Sequence, residues 1–157
     1  MTRQPVMRTH PAPPPLHSWL DERGAVAAEL AMAVPALLLV LSLLVAGGRL
    51  WFARTTVVEA ANTAARAASL ARSGGEASAS GRDAGEQSLT TAGLRCATRS
   101  VSMDTAAFSV PVGTPATIRS VVRCEVFLSD LLLPVIPGSV NLVAEGSSAL
   151  DTYRTRS

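Results

Sequence analysis

An apolar run from Gly24 to Gly48, GAVAAELAMAVPALLLVLSLLVAGG, carries one charged residue, Glu29, and constrains the fold more than any other feature of the chain. As a helix rising about 1.5 Å per residue, residues 25–48 span roughly 36 Å, whereas the hydrocarbon core of a bilayer is about 30 Å thick. The run therefore predicts a transmembrane helix over residues 25–48, preceded by a leader over residues 1–24.

The carboxylate of Glu29 is unusual inside such a helix. An ionised carboxylate costs on the order of 2.5 to 3.5 kcal/mol at the bilayer centre and less near an end, and intramembrane charges are functional candidates by default. Two interpretations stay open on this evidence. The side chain reaches out to the interface, or it pairs with a positive charge on this chain or on a neighbour.

The rest of the chain is short. Its 157 residues, 48% hydrophobic and 17% charged, leave room for one membrane helix and one small exported domain with a thin core. A formal net charge of +2 does not favour nucleic acid as a partner. We expect an α+β fold in which a long N-terminal helix, first transmembrane and then extramembrane and amphipathic, precedes a small β-rich domain.

The orientation in the membrane is inferred from the cysteines. Arginines flank the apolar run on both sides, so the positive-inside rule is nearly balanced. Cys96 and Cys124 both follow the run, and disulfides form and persist outside the cytoplasm. We expect a single-pass protein of the cytoplasmic membrane with a cytoplasmic N-terminus and an extracytoplasmic C-terminal domain.

A cleaved secretory signal is the less favoured explanation of the run. The run exceeds the roughly 7 to 15 residues of a signal-peptide core, and no clean A-x-A site follows Gly48. Processing in front of the run fits better, because Gly24 ends a charged leader and Glu29 is the fifth residue after it.

Four segments match a family pattern: RGAVAAEL at 23–30, VPALLL at 34–39, GRLW at 48–51 and VEAANTAARAA at 58–68. Over about residues 23–70 the chain resembles the TadE-like pseudopilins (TadE/TadG-like) of Flp, or type IVb, tight-adherence pilus systems. One position departs from the pattern, since Leu30 stands where pilins of this class usually carry an aromatic residue.

The resemblance implies a minor pilin or pseudopilin that a prepilin peptidase cuts between Gly24 and Ala25 and that contributes to assembly of an adhesive pilus. Its implied partners are the membrane, the peptidase, other pilin or pseudopilin subunits and the pilus assembly platform. Cleavage leaves a charged amine on Ala25, four residues before Glu29, which is the helical spacing at which neighbours meet. We expect Glu29 to pair with this amine or with that of a neighbouring subunit.

Pro35 lies inside the predicted helix. A proline there removes one backbone hydrogen bond and usually kinks the axis, which a membrane tolerates when neighbouring groups cover the freed carbonyl. A proline at this place also recurs in the family pattern. A functional kink and a tolerated bend both remain open.

Small apolar residues continue at spacings of three and four beyond the run and predict a helical stalk over residues 49–73. Trp51, beside Arg49, suits an anchor at the membrane interface. The stripe permits close helix approach, either to the protein's own domain or to another subunit. Its members are Leu50, Ala53, Val57, Ala61, Ala64, Ala68 and Ala71.

Residues 74–93 are interpreted as a loop and a short helix, because the glycine- and serine-rich segment 73–81 predicts a flexible connection before a helix over 83–92. From residue 94 the apolar period changes to two, which predicts a β-rich domain over residues 94–157. The clearest strand covers 116–128, and the predicted others are Phe108–Val112 and Val140–Ala144.

Cys96 and Cys124 fall within this β-rich region. A disulfide between them suits an exported domain with a thin core, and two buried free thiols are the alternative. Two cysteines without a downstream histidine cannot complete a tetrahedral metal site, so we expect no metal.

Catalytic constellations are missing from the sequence. Both histidines, His10 and His17, lie in the leader, and the chain has neither a glycine-rich phosphate loop nor a nucleophile elbow. We expect no enzyme, no cofactor and no small-molecule substrate. The alternative to a pilin is a membrane-tethered extracytoplasmic binding protein without a pilus role, and a secreted protein released by signal peptidase is more remote.

Overall fold

The computed structural model describes residues 18–131 and 137–153, and it describes side-chain surroundings over 27–130 and 137–153. Its order is one long helix, a second helix and three strands, with a 3-10 turn after β1 and another after β2. The predicted α+β fold is confirmed. The elements are α1 (Ser18–Ser69), α2 (Gly74–Thr91), β1 (Thr98–Asp104), β2 (Ala116–Phe127) and β3 (Ser139–Leu150).

The chain divides into two compact units, the first ending at Leu41 and the second beginning at Ser42. The first contains the N-terminal part of α1, and every side chain described there, over residues 27–41, is exposed. The second contains the rest of α1, α2 and the sheet.

The sheet is an antiparallel meander with β2 in the centre. Val122 pairs with Val101 on β1 and with Ala144 on β3. Alternate residues of β2 are buried, which is the two-residue period that predicted this strand. The buried set is Ile118, Ser120, Val122, Cys124 and Val126.

The alanine stripe of α1 packs on the protein's own sheet, so the first of the two stripe interpretations is confirmed. Ala53, Val57 and Ala64 are almost fully buried against the strands. The backbones approach closely at Gly146, where a Cβ would overlap the carbonyl of Ala61 and lie 2.6 Å from Asn62 N. Glycine is the residue that this contact between helix and strand accommodates.

A buried hydrogen bond fixes the same contact. The Ser120 hydroxyl donates to the Ala61 carbonyl at 2.6 Å, and Ser120 is fully buried. A polar side chain in the centre of the apolar sheet face thus has a partner, as buried hydroxyl groups require.

The predicted loop over residues 73–81 was wrong, because α2 already begins at Gly74. Ser73 caps the helix by accepting a hydrogen bond from Glu76 N at 3.3 Å. The Glu76 carboxylate in turn accepts from Arg72 N at 2.9 Å. Serine followed three residues later by glutamate is the sequence signature of a helix start.

Glycines inside α2 are offset by packing. A Cβ at Gly81 would lie 3.1 Å from the Ala64 carbonyl oxygen, and one at Gly85 would lie 3.2 Å from the Ala64 Cβ. Glycine is unfavourable in a helix interior. Here it lets two helices approach, so tertiary contact overrides local propensity.

The strand predicted at Phe108–Val112 was also wrong. The chain forms a 3-10 turn over Ala106–Ser109 instead, and the first strand is β1. Asp104 Oδ1 accepts from Ala106 N at 3.1 Å, which bends the chain directly after β1. Phe108 packs on the core from this turn.

Candidate membrane-spanning and assembly helix

Within the described residues, one helical stretch, Ala27–Ser69, is long and apolar enough to cross a membrane, judged by length and composition. The most apolar part of this stretch is almost entirely exposed. Leu37 and Leu44 are 69% and 68% exposed. Exposed apolar area costs about 25 cal/mol per Å² in water, so this surface suits lipid or other apolar helices.

The predicted cleavage site lies within α1, since both Gly24 and Ala25 are helical, although their side-chain surroundings fall outside the described part. Glu29 lies in the same helix, one turn further on, and its side chain is exposed. Residues 30–48 contain no other charge. Over the described side chains, the ion pair found within 4 Å joins Arg99 to Glu86 at 3.9 Å, so Glu29 has no ion-pair partner there.

Pro35 lies inside α1, and the helix continues on both sides of it. Because proline has no backbone N–H, one hydrogen bond of the helix is absent at this residue. The kink predicted at this residue stays a prediction.

Cys96 and Cys124 form the predicted disulfide, with their Cα atoms 5.3 Å apart. Cys124 is fully buried in the centre of β2. The bond links the segment between α2 and β1 to the central strand, and the two cysteines are 28 residues apart in the sequence. This prediction is confirmed, and both cysteines of the chain are accounted for.

A carboxylate links all three strands at one end of the sheet. Glu125 on β2 accepts a hydrogen bond from Thr98 on β1 at 3.0 Å and another from Ser139 on β3. The hydrogen bond from Ser139, and then that from Thr98, lowers the pKa of Glu125 below its ordinary value, and the small desolvation opposes them. The ionised carboxylate is the form that holds the strands.

Sequence reasoning missed the residues that dock α2 and β3 on α1. A usable signal for α2 is the spacing of four that joins Ala77, Gly81, Gly85 and Leu89, which are its buried residues. No local signal marks Gly146, because its neighbour Ala61 is distant in the sequence.

These features fit a single-pass membrane protein: in the described residues, the one candidate membrane helix is part of α1, and the C-terminal part of α1 belongs to a small disulfide-bonded α+β domain. The family model described as TadE-like protein matches residues 24–66, the stretch over which the sequence motifs resemble that family. The family is pilin-like and non-enzymatic, so the match and the candidate membrane helix together indicate a membrane protein associated with Tad pili. No curated protein and no solved structure matches the chain.

Proposed function

We propose that this chain is a TadE-like minor pilin or pseudopilin. It inserts with its N-terminus in the cytoplasm, is cut by a prepilin peptidase between Gly24 and Ala25, and contributes to assembly of a Flp/Tad-type adhesive pilus. One observation carries the proposal: the stretch that matches the family, 24–66, lies entirely on α1, which is exposed and apolar first and is then buried in its own domain.

The exposed apolar surface of α1 suits a subunit that moves from the lipid membrane into an assembly of helices. Side chains such as Leu37, Leu41 and Leu44 are all more than half exposed. Lipid covers them while the subunit stays in the membrane, and neighbouring helices cover them in an assembly. Both environments are apolar, so transfer between them exposes little of this surface to water.

Glu29 couples processing to assembly in this proposal. Before cleavage the nitrogen of Ala25 is a neutral amide, whereas after cleavage it is a charged amine one helical turn from the Glu29 carboxylate. In a lone subunit the two charges compensate one another. In an assembly Glu29 reaches the amine of a neighbour and sets the axial register of the packed helices.

Substitution Glu29→Gln tests this coupling. We expect normal membrane insertion, because removing a charge lowers the cost of burying the helix, but a reduced share of the chain in sheared pili relative to membranes. Glu145→Gln, which removes an exposed carboxylate from the sheet, is the matched control. Unchanged incorporation of the Glu29 variant would remove the charge-pairing argument, and a chain absent from pili and dispensable for piliation would favour the tethered binding protein.

A further inference from the structure

The face of α1 turned away from the sheet carries an exposed stripe within the second compact unit. Trp51 is 72% exposed and Val58 is 46% exposed. Ala53 and Val57, on the opposite face of the same helix, are each 1% exposed. We call this stripe the outer seam. It consists of Leu44, Gly48, Trp51, Thr55, Val58 and Asn62, all exposed.

The spacing of the outer seam alternates between four and three residues. That average of 3.5 is the repeat at which two helices wrap around each other, with each seam side chain packing between residues of the facing helix. Trp51 and Val58 occupy one of the two seam positions, and Thr55 and Asn62 the other. A polar residue such as Asn62 at the second position favours one register and a defined number of helices.

The charges flanking the seam are complementary to those of a second copy. At about 100° per residue, Arg54 lies on one flank and Glu59 on the other. Neither side chain makes a hydrogen bond or ion pair with another residue in the described part of the chain. In a parallel, in-register pair of helices, each such residue faces the one five positions further along the partner. Arg54 of each copy therefore faces Glu59 of the other.

Two glycines give independent support. Gly47 and Gly48 lie inside α1, and a Cβ at either would meet nothing within 4 Å. Neither has a positive φ, so the fold itself does not require glycine, which is among the least favourable residues for a helix interior. Small residues let helices in membranes approach closely. In the parallel pair, Gly47 faces Phe52 of the other copy, and Gly48 leaves room beside the Trp51 rings.

We propose that the outer seam binds a second copy of this chain as a parallel, in-register pair of helices. Two copies inserted the same way into one membrane are parallel by necessity. The inference rests on the single-pass insertion proposed above, and it does not depend on peptidase cleavage or on a place in a fibre.

Cysteine cross-linking of the full-length protein in its membrane tests the seam. The two native cysteines are bonded to each other, so an introduced cysteine is the free thiol. Thr55→Cys lies on the seam, and Thr63→Cys is the same change at an exposed site on the same helix, about 100° away from the seam. We expect an oxidant to convert the first into a disulfide-linked homodimer and to leave the second largely monomeric.

Three results would overturn the proposal: equal cross-linking of both variants, no dimer from Thr55→Cys, or an adduct whose mass shows a different pilin. If the seam does not cross-link but is labelled by probes carried in the lipid, it lies in the lipid headgroup layer and does not bind a second copy. Resistance to carbonate extraction shows that the chain is inserted in the membrane. A chain that is inserted and begins at Ala25 but forms no homodimer would contradict the pairing of the seam and leave the proposed function standing.

Charge-reversal variants of the Thr55→Cys protein test whether the partner of the seam is a second copy of this chain. Arg54→Glu and Glu59→Arg each place like charges across the pair, and each should lower dimer formation by roughly two- to thirtyfold, the range for two exposed ion pairs. Their double variant, and a co-expressed mixture of the two single variants, should restore it. An anionic lipid surface would instead favour Glu59→Arg over the native protein, and cross-linking insensitive to all these changes would contradict the pairing. Resistance of the native disulfide to thiol labelling shows that each variant is folded.

Discussion

Substituting Gly146 by alanine tests the packing that joins α1 to the sheet. The new Cβ would lie 2.6 Å from Asn62 N, while ordinary contacts begin at 3.4 Å. The atoms in its way belong to the helix backbone and cannot rotate aside. Helix and strand must therefore separate by at least about 0.8 Å, which is the difference between these two distances, because the Ala61 carbonyl lies closer still.

That separation affects two terms of the free energy of unfolding. Forcing an extra group into a packed core costs about 1 to 3 kcal/mol. Moving Ala61 away from Ser120 also stretches their 2.6 Å hydrogen bond, and an unsatisfied buried hydroxyl costs about 1 to 3 kcal/mol. We expect Gly146→Ala to lower the free energy of unfolding by roughly 2 to 6 kcal/mol, a large share of the stability of a small domain.

Pulse proteolysis in urea, on the full-length protein in lipid bilayers, measures this loss. With a urea dependence of about 1 to 3 kcal/mol per M, the midpoint should fall by about 0.7 M or more, or the domain should be cleaved without urea. Gly75→Ala is the matched control, because a Cβ there meets nothing within 4 Å and alanine favours the helix. Equal midpoints for the two variants would refute the close approach at Gly146.

Two further predictions concern the sheet. Thiol-blocking reagents under denaturing, non-reducing conditions should leave Cys96 and Cys124 unmodified, and replacing both by alanine should cost about 3 to 4 kcal/mol in the chain-entropy model, measured by the same proteolysis; ready labelling of both would contradict the disulfide. Because the folded pKa of Glu125 lies below its ordinary 4.5, its carboxylate contributes stability above that value, and this contribution disappears as the pH falls through the lowered folded pKa. The difference in free energy of unfolding between wild type and Glu125→Gln should therefore be constant near neutrality and shrink in acid, whereas a difference that grows on acidification would contradict the link between the strands.

The sequence predicts best where one pattern extends over many residues. Alanine spacing on α1 and strict alternation on β2 both identify their elements and their buried faces, because the helix and strand periods are determined locally. β1 was missed because its sequence, TRSVSMD, has only two apolar residues, Val101 and Met103. It lies at the edge of the sheet, and its other five residues are exposed.

Errors arise where distant contacts override local preference. Glycines at 74, 75 and 81 predict a loop, yet close packing on α1 makes Gly81 suitable inside α2. Of the candidate site, the disulfide follows from cysteine content and predicted export. The close contact of Gly146 with Ala61 depends on how α1 lies against the sheet, which no local pattern encodes.

The mass of the N-terminal peptide decides whether the protein is processed as a pilin. The protein should be recovered from its native membrane and analysed without a tag at the N-terminus. We expect a mature chain that begins at Ala25, with the charged amine one turn before Glu29. A chain that keeps Met1 and the leader would contradict it in favour of a tethered binding domain, and a chain beginning beyond Gly48 would make the protein secreted.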